Sequence, residues 1–513
     1  MRLLHAAIYV LLAPLAWAER INHEGRILGP APTVTQPILF NTPQADAVVS
    51  AMQILPRDNP WNEDISRLPV ATNSDAMITQ ITNDLSASRR FLRPFYEMNY
   101  VLVPDAQPTR SIHFNDYPDE SDLNGGVFPN GLYPIPGNLP VETWPRETGT
   151  LTLSQWQQDV NSDGGDRHAI TVQPGAGLIW ETWQAKLVGA NWEASNGAKF
   201  DLKANTLRPS GWTSGDAAGL PMFPALVRYD ECQRGMVEHA LRIVVAKSRK
   251  AYVYPATHFA STLTGANYPA MGQRVRLKST FVIPGTWTIY EKAVLLALKK
   301  HGALVADNGG FFSVSVCPDD RYPSNAFDHL STVAISNFEI VQSTGATGGP
   351  RSPGAPSCDA GSDQIIEPGT AARLAGAVTT TGATPTVQWK KFSGPGTVTF
   401  GSAAQANTTA IFSLPGRYTL MLSADDAVHT VAYDAVVVDV RYPVDLVRTG
   451  NDMLVRFPST AGQKYRVECT ADLAANSWTT LADDIAGTGN LLQVTHFGAV
   501  PLGSRFYRVV FLP

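Results

Sequence analysis

The sequence predicts a mainly β protein: a large antiparallel β-rich N-terminal domain with a few helices, followed by two small β-sandwich modules. Three observations predict it. Charged residues make up only 17% of the chain while Gly (41) and Pro (37) are plentiful, a balance that suits a turn-rich β protein. The tail holds short alternating runs, TVQWKKF, TVTF, TTAIFSL, YTLMLSA and VAYDAVVVDV, each bounded by Gly, Pro, Asn or Asp turns. Between the large unit and this tail, residues 343–356 (STGATGGPRSPGAP) are small, rich in Gly and Pro and without apolar period, which is a linker composition.

The N-terminus carries the features of a secretory signal: Arg2, a short apolar stretch over residues 6–13, and Ala16-Trp17-Ala18 as an A-x-A cleavage site. Cleavage there starts the mature chain at Glu19 and leaves His23 internal, which disfavours a copper site built on an N-terminal histidine. No later stretch offers about 18 uninterrupted apolar residues, so no membrane span is expected. The net charge of −5 argues against a general nucleic-acid binder. The expected domains are thus 1–18 as signal peptide, 19–342 as the large unit, 343–356 as linker, 357–441 and 442–513 as β modules. Four cysteines, Cys232, Cys317, Cys358 and Cys469, are scattered without a CxxC, which excludes a zinc ribbon. In an oxidising compartment Cys232–Cys317 is a candidate disulfide; four separate thiols are the alternative.

Within the large unit, Ser74 or Asp75 caps an expected helix running to about Ser86. Residues 104–145 read as long loops. Stretches 170–188, 217–227, 240–254, 274–282 and 333–341 read as strands. Residues 289–301 (IYEKAVLLALKKH) form the best helix: apolar residues at helical spacing, lysines in the last turn and Gly302 at the end.

Ionisable groups interrupt the apolar runs between Asp201 and His258. Burying an unpaired charge is costly, so such groups are solvated, paired or functional. The carboxylates Glu181, Asp201, Asp216 and Asp230 are the candidate catalytic groups, with Glu231 beside Asp230, because glycoside hydrolysis needs one acid and one base or nucleophile. His239 and His258 are candidate proton carriers. Arg208, Arg228, Arg242, Trp183, Trp212, Tyr229, Asp307 and Asn308 are candidate substrate contacts. Eight of the 11 tryptophans lie between Trp61 and Trp287, and indole faces stack on sugar rings; a buried structural role for about half of them is the competing expectation. For each carboxylate the competing role is an ion pair with Arg208, Arg228 or Arg242.

A second chemistry competes. From Val227 to Lys278, Arg228, Arg234, Arg242, Lys247, Arg249, Lys250, Arg274, Arg276 and Lys278 face only Asp230, Glu231 and Glu238. That local excess of positive charge fits an anionic, uronate-containing glycan and a lyase using Tyr229, His239 or His258; solubilising surface charge is the alternative. His168, His239 and His258 with Asp166 lack a local metal-ligand spacing, so no metal and no cofactor are expected, apart from structural calcium on Asp116, Asp119, Glu120 and Asp122, where a solvated acidic loop is the simpler account. There is no G-x-S-x-G elbow.

Several segments carry resemblances. CDAGSDQIIEPGTAARLAG, WKKFSGPGTVTF, NTTAIFSLPGRYTLMLSADD and VVVDV make residues 357–440 similar to PKD/Ig-like modules, which implies a spacer or carbohydrate-binding role. Tyr465-Arg466-Val467, Trp478 and Phe506-Tyr507-Arg508-Val509 resemble the fibronectin-like C-terminal modules of secreted polysaccharide-degrading proteins. DNPWN at Asp58, GDRH at Gly165, GWTSGDAAGLP at Gly211, RYDE at Arg228, HALR at His239, YPATH at Tyr254, MGQRVRLK at Met271 and ADNG at Ala306 resemble an uncharacterised family of secreted bacterial proteins, which implies a domain boundary but no mechanism. The expectation is a secreted glycoside hydrolase acting on a polysaccharide. A lyase for an anionic glycan and a non-catalytic glycan-binding or adhesion protein are the alternatives. Composition does not address oligomeric state.

Overall fold

The structure is a computed structural model that describes residues 19–162, 165–342, 353–473 and 477–512. The expected signal segment and most of the expected linker lie outside the described residues. The chain is mainly β, and five α-helices form among the described residues.

Two sheets dominate residues 19–342. A six-stranded sheet runs in the order Phe338–Ile340, Arg274–Leu277, Ala303–Asn308, Leu241–Val245, Phe312–Val316, Leu92–Tyr96. A five-stranded sheet runs Ile38–Leu39, Val101–Leu102, Ala169–Gln173, Leu178–Trp183, Asn196–Asp201. Most pairings are antiparallel, but Leu241–Val245 pairs with Ala303–Asn308 in parallel, as do Phe312–Val316 with Leu92–Tyr96 and Val101–Leu102 with Ala169–Gln173. These central strands are largely buried on both faces, and one continuous core runs from Phe40 to Ile340.

The helix Ile289–Lys300 forms as its pattern predicts. Thr288 caps it with a reciprocal capping box to Glu291, Ala293, Val294, Ala297 and Leu298 face the core, and Gly302 (φ 66°) lets the chain turn straight into the next strand. The helix Ser74–Asn83 also forms, although Asn73 precedes it without a side-chain cap bond.

Three expectations need correction. Residues 217–227 are not a strand: Pro221 and Pro224 cannot donate to a ladder, and the segment is a buried loop with a 3-10 turn at Phe223–Ala225. Arg228 then leads into the helix Tyr229–Arg234, ended by Gly235 in the left-handed region. Residues 104–145 are not all loop, since Arg110–Phe114 and Asn130–Tyr133 pair within a four-stranded sheet. No Cys232–Cys317 disulfide forms: both are buried thiols, and the Tyr322 hydroxyl donates to Cys232 Sγ at 3.9 Å.

After the linker, residues 357–440 form a sandwich whose sheets share a core of Leu374, Trp389, Phe412, Tyr418, Leu422 and Val438. Tyr418 donates back to the Leu414 carbonyl at 2.6 Å, pinning the corner before its strand. Residues 445–512 form two three-stranded sheets around Val455, Phe457, Tyr465, Val467 and Tyr507. The first module touches the large unit through Arg67–Asp425 at 2.6 Å and through the Asp64 N–H donating to Thr430 Oγ1 at 2.7 Å. No helix among the described residues is long and apolar enough to cross a membrane.

Candidate functional site

The polar islands of the sequence separate into two buried nests, one around Arg242 and one around Arg228.

Arg242 stands in the central strand Leu241–Val245 with its side chain 3% exposed. Its Nε and Nη2 donate to the two oxygens of Asp216 at 3.0 and 2.8 Å, and its Nη1 donates to Ser315 Oγ at 2.8 Å. Ser315 in turn donates to Glu97 Oε2 at 2.5 Å. Two more carboxylates flank the same guanidinium: Glu97 lies 3.6 Å from Nη1 and Asp307 3.6 Å from Nη2. A register irregularity positions Asp307. Ile243 pairs with Val305 but Val244 pairs with Asp307, so Ala306 is an extra residue that swings Asp307 onto the face of Arg242. The Ala306 carbonyl then accepts the Ala218 N–H at 2.9 Å and fastens the turn bearing Asp216. That turn needs Gly219 (φ +70°), where a Cβ would stand 2.1 Å from Thr257 Oγ1 and 2.6 Å from the Trp212 carbonyl.

Behind this group, His168 and Glu142 form a second pair. His168 Nδ1 meets Glu142 Oε2 at 3.0 Å, and Nε2 meets the Gly215 carbonyl at 2.9 Å. Two hydrogen-bond acceptors call for an imidazolium donating from both nitrogens. Burial opposes that charge, but the Glu142 carboxylate outweighs it and raises His168 to about 9. Glu181, fully buried between two tryptophans in the strand Leu178–Trp183, accepts the N–H groups of Met222 and Phe223 at 2.8–3.0 Å; burial lifts it to about 7 against those donors.

Five carboxylates thus surround two cations, and of the three that burial pushes towards neutrality, Glu97 and Asp307 are the ones that reach solvent. Glu97 is 23% exposed and Asp307 29% exposed. Burial raises Glu97 to about 7 with Arg242 opposing, and burial and Asp216 raise Asp307 to about 6 with Arg242 again opposing. Because both touch one guanidinium, their nearest oxygens lie within about 10 Å of each other, a bound that admits either hydrolytic geometry. Around this edge lie half-buried groups. Trp183 Nε1 donates to Asp166 Oδ1 at 3.2 Å, His258 Nδ1 meets the Ala217 carbonyl at 2.7 Å and its ring stacks on Phe259, and Asn308 Nδ2 donates to the Ala260 carbonyl at 2.9 Å.

The other predicted residues lie elsewhere. Arg228 pairs with Glu231 at 2.7 Å and donates to the Phe223 carbonyl; Asp230 pairs with Arg234 at 2.7 Å; His239 meets Glu231 at 3.2 Å. This nest is closed, each of its charges but Arg234 being buried. Burial and the Glu231 charge raise Asp230, while Arg228 and His239 hold Glu231 well down despite its burial. Asp201 is exposed and caps a turn by accepting the Lys203 N–H at 2.7 Å. Arg208 is buried on Asp122, the Glu120 carbonyl and the Thr213 carbonyl, with Trp212 against it. Tyr229 packs among Tyr290, Tyr322 and Arg321. Of the expected calcium ligands, Asp116, Glu120 and Asp122 are engaged by Ser195, the Thr213 N–H and Arg208. His168 and His239 sit in different nests, so the three histidines do not gather around one ion.

The local positive charge is also partly absorbed. Besides the pairs of Arg228, Arg234 and Arg242, Lys247 meets Asp84 at 3.2 Å, Arg276 meets Glu339 at 2.6 Å, and Arg274 is spent on the carbonyls of His301 and Pro60. Four of the eight tryptophans of this region, Trp61, Trp156, Trp180 and Trp192, are buried. Glu97, Glu142 and Ser315 escaped the sequence reading. The signal for Glu97 was an acid among aromatics in FYEMNY, of the same kind that singled out Glu181.

No family model and no curated protein matches the chain. Among solved structures, the chain is similar to the solution structure of the PKD domain from KIAA 1837 protein at 21% identity, over 21% of this chain and 100% of that one, with a TM-score of 0.16. It is similar to the D00-D0 domain of Intimin at 10% identity, over 31% of this chain and 100% of that one, also with a TM-score of 0.16. At those scores neither likeness carries weight for function.

Proposed function

We propose that the protein is a secreted carbohydrate-active enzyme, a glycoside hydrolase whose acid/base pair is Glu97 and Asp307. One observation carries the reading: two partly exposed carboxylates flank a single buried guanidinium and are held near 7 and 6. Between those values Glu97 is the protonated partner and Asp307 the ionised one, which is the division of labour that hydrolysis requires. Glu97 donates its proton to the leaving glycosidic oxygen. Asp307 takes a proton from water, or attacks the sugar carbon if the separation is short. Arg242 steadies the ionised forms of both, and its bond to Asp216 fixes the guanidinium without drawing on either catalytic carboxylate. Trp183 and the His258–Phe259 stack supply apolar faces for sugar rings beside the pair.

In this reading residues 19–342 are the catalytic domain, and the PKD/Ig-like module 357–441 and fibronectin-like module 442–513 serve as spacers or carriers outside the cell. The anionic-glycan reading loses ground because five of the nine basic residues that motivated it, Arg228, Arg234, Arg242, Lys247 and Arg276, are paired with carboxylates. The deciding experiment is a panel of neutral and uronate polysaccharides assayed for both new reducing ends and unsaturated products, with wild type, Glu97→Gln and Asp307→Asn in parallel. Reducing ends without unsaturated products, lost in both variants, support hydrolysis. Unsaturated products would point to elimination, and binding without turnover to a non-catalytic module.

A further inference from the structure

A separate cluster lies between the N-terminal arm and the end of the helix Ile289–Lys300. We propose that His23, Glu24 and His301 form a site for a divalent transition-metal ion of the zinc class, which fastens the N-terminal arm to this helix. One ligand atom from each residue lies within 4.8 Å of the other two. An ion bonded at about 2.0–2.2 Å holds its ligand atoms roughly 3–4 Å apart, so small side-chain rotations close the set.

The hydrogen bonding leaves donor atoms for such an ion. His301 is fully buried, and its Nε2 lies 3.1 Å from Glu24 Oε1. Among the described residues His301 Nε2, Glu24 Oε1 and His23 Nδ1 are buried with no hydrogen-bond partner. The remaining atoms of the three side chains are tethered. His301 Nδ1 meets the Glu63 carbonyl at 3.0 Å, His23 Nε2 meets the Glu238 carbonyl, and Glu24 Oε2 meets Lys300 Nζ. A ring nitrogen bonded to a backbone carbonyl is the usual outer support of a metal-bound histidine.

The surroundings favour a cation held rigidly. His301 caps the carboxyl end of a 12-residue helix, where the backbone carries partial negative charge. His23 and Glu24 sit in a tight turn closed by the Asn22 N–H to the Arg26 carbonyl at 3.0 Å, and Arg26 and Asn22 both bind the Glu238 carboxylate. The turn that carries His23 and Glu24 is therefore held in place before any ion arrives. Two imidazoles and one carboxylate select a transition ion over calcium or magnesium, which take all-oxygen sets. The side chains are 6%, 12% and 0% exposed for His23, Glu24 and His301, so the site is nearly closed and suits a structural ion. Its far side touches the next module, since Gly25 lies against the Tyr433 ring.

The test uses the full chain without a histidine tag, dialysed against chelator, with Zn2+ as the probe. Elemental analysis after gel filtration should find one zinc per chain, and the melting temperature should rise with zinc concentration. Co2+ in place of zinc should give visible absorption bands. His23→Gln and Glu24→Gln should each lower zinc affinity by more than about 100-fold, beyond what the loss of an outer support does. Failure of wild type to retain zinc or shift its melting temperature would leave only an ion-pair network and overturn the proposal. Equal retention by wild type and both variants would place the ion elsewhere and also overturn it. Neither outcome depends on the hydrolase activity.

Discussion

Arg242 grips Asp216 through two hydrogen bonds of 2.8 and 3.0 Å, with the carboxylate entirely buried. The bond joins the central strand to a loop 26 residues upstream and holds the guanidinium that Glu97 and Asp307 share. Asp216 therefore acts by positioning, and its removal exposes Arg242 to an uncompensated burial cost. Asp216→Asn should lower unfolding free energy by about 3–5 kcal/mol in urea titration, with activity falling in step with the folded fraction. Unchanged stability would show that Arg242 finds full compensation from Glu97 and Asp307.

Glu97→Gln and Asp307→Asn should behave differently. Each keeps shape and hydrogen-bonding capacity at a partly exposed position, so the melting temperature should move by only a few degrees. Turnover should fall by a factor of about 100 or more, the usual contribution of a positioned acid or base. Loss of stability without a specific loss of turnover would reassign the pair to structure.

The activity profile should be bell-shaped, with its maximum between pH about 6 and about 7. The rising limb reports ionisation of Asp307 and the falling limb deprotonation of Glu97. Asp307→Asn should leave residual activity without the acid limb, and Glu97→Gln should remove the alkaline one.

His168 gives a stability signature at higher pH. Its folded value of about 9 exceeds the unfolded 6.5, so the folded state binds the extra proton and the stabilisation is complete below pH 6.5. It is lost as pH rises through about 9, by on the order of 3 kcal/mol. Denaturant midpoints across this window should fall for wild type and stay flatter for His168→Gln.

Gly219→Ala tests the turn that carries Asp216. A methyl group there meets Thr257 Oγ1 at 2.1 Å and the Trp212 backbone at 2.6 Å, at a φ of +70°. The variant should lose at least about 2 kcal/mol of stability, whereas Gly211→Ala, also at positive φ but in open space, should lose less.

The sequence by itself determined the β class and the helix over residues 289–300, because these follow from local composition, period and capping chemistry. It also marked Glu181, Asp216, Arg242 and Asp307 as ionisable groups in apolar surroundings. Only the tertiary structure decided which of them meet. Arg242 draws one partner from 26 residues before it and another from 73 residues after it, and its solvent-facing carboxylates come from Glu97 and from the bulge at Ala306. Residues 229–234 coil into a helix, which turns Asp230 and Glu231 towards Arg234 and Arg228. A charge in sequence announces that a partner or water must exist. The identity of the partner depends on strand order and register, which no local pattern encodes.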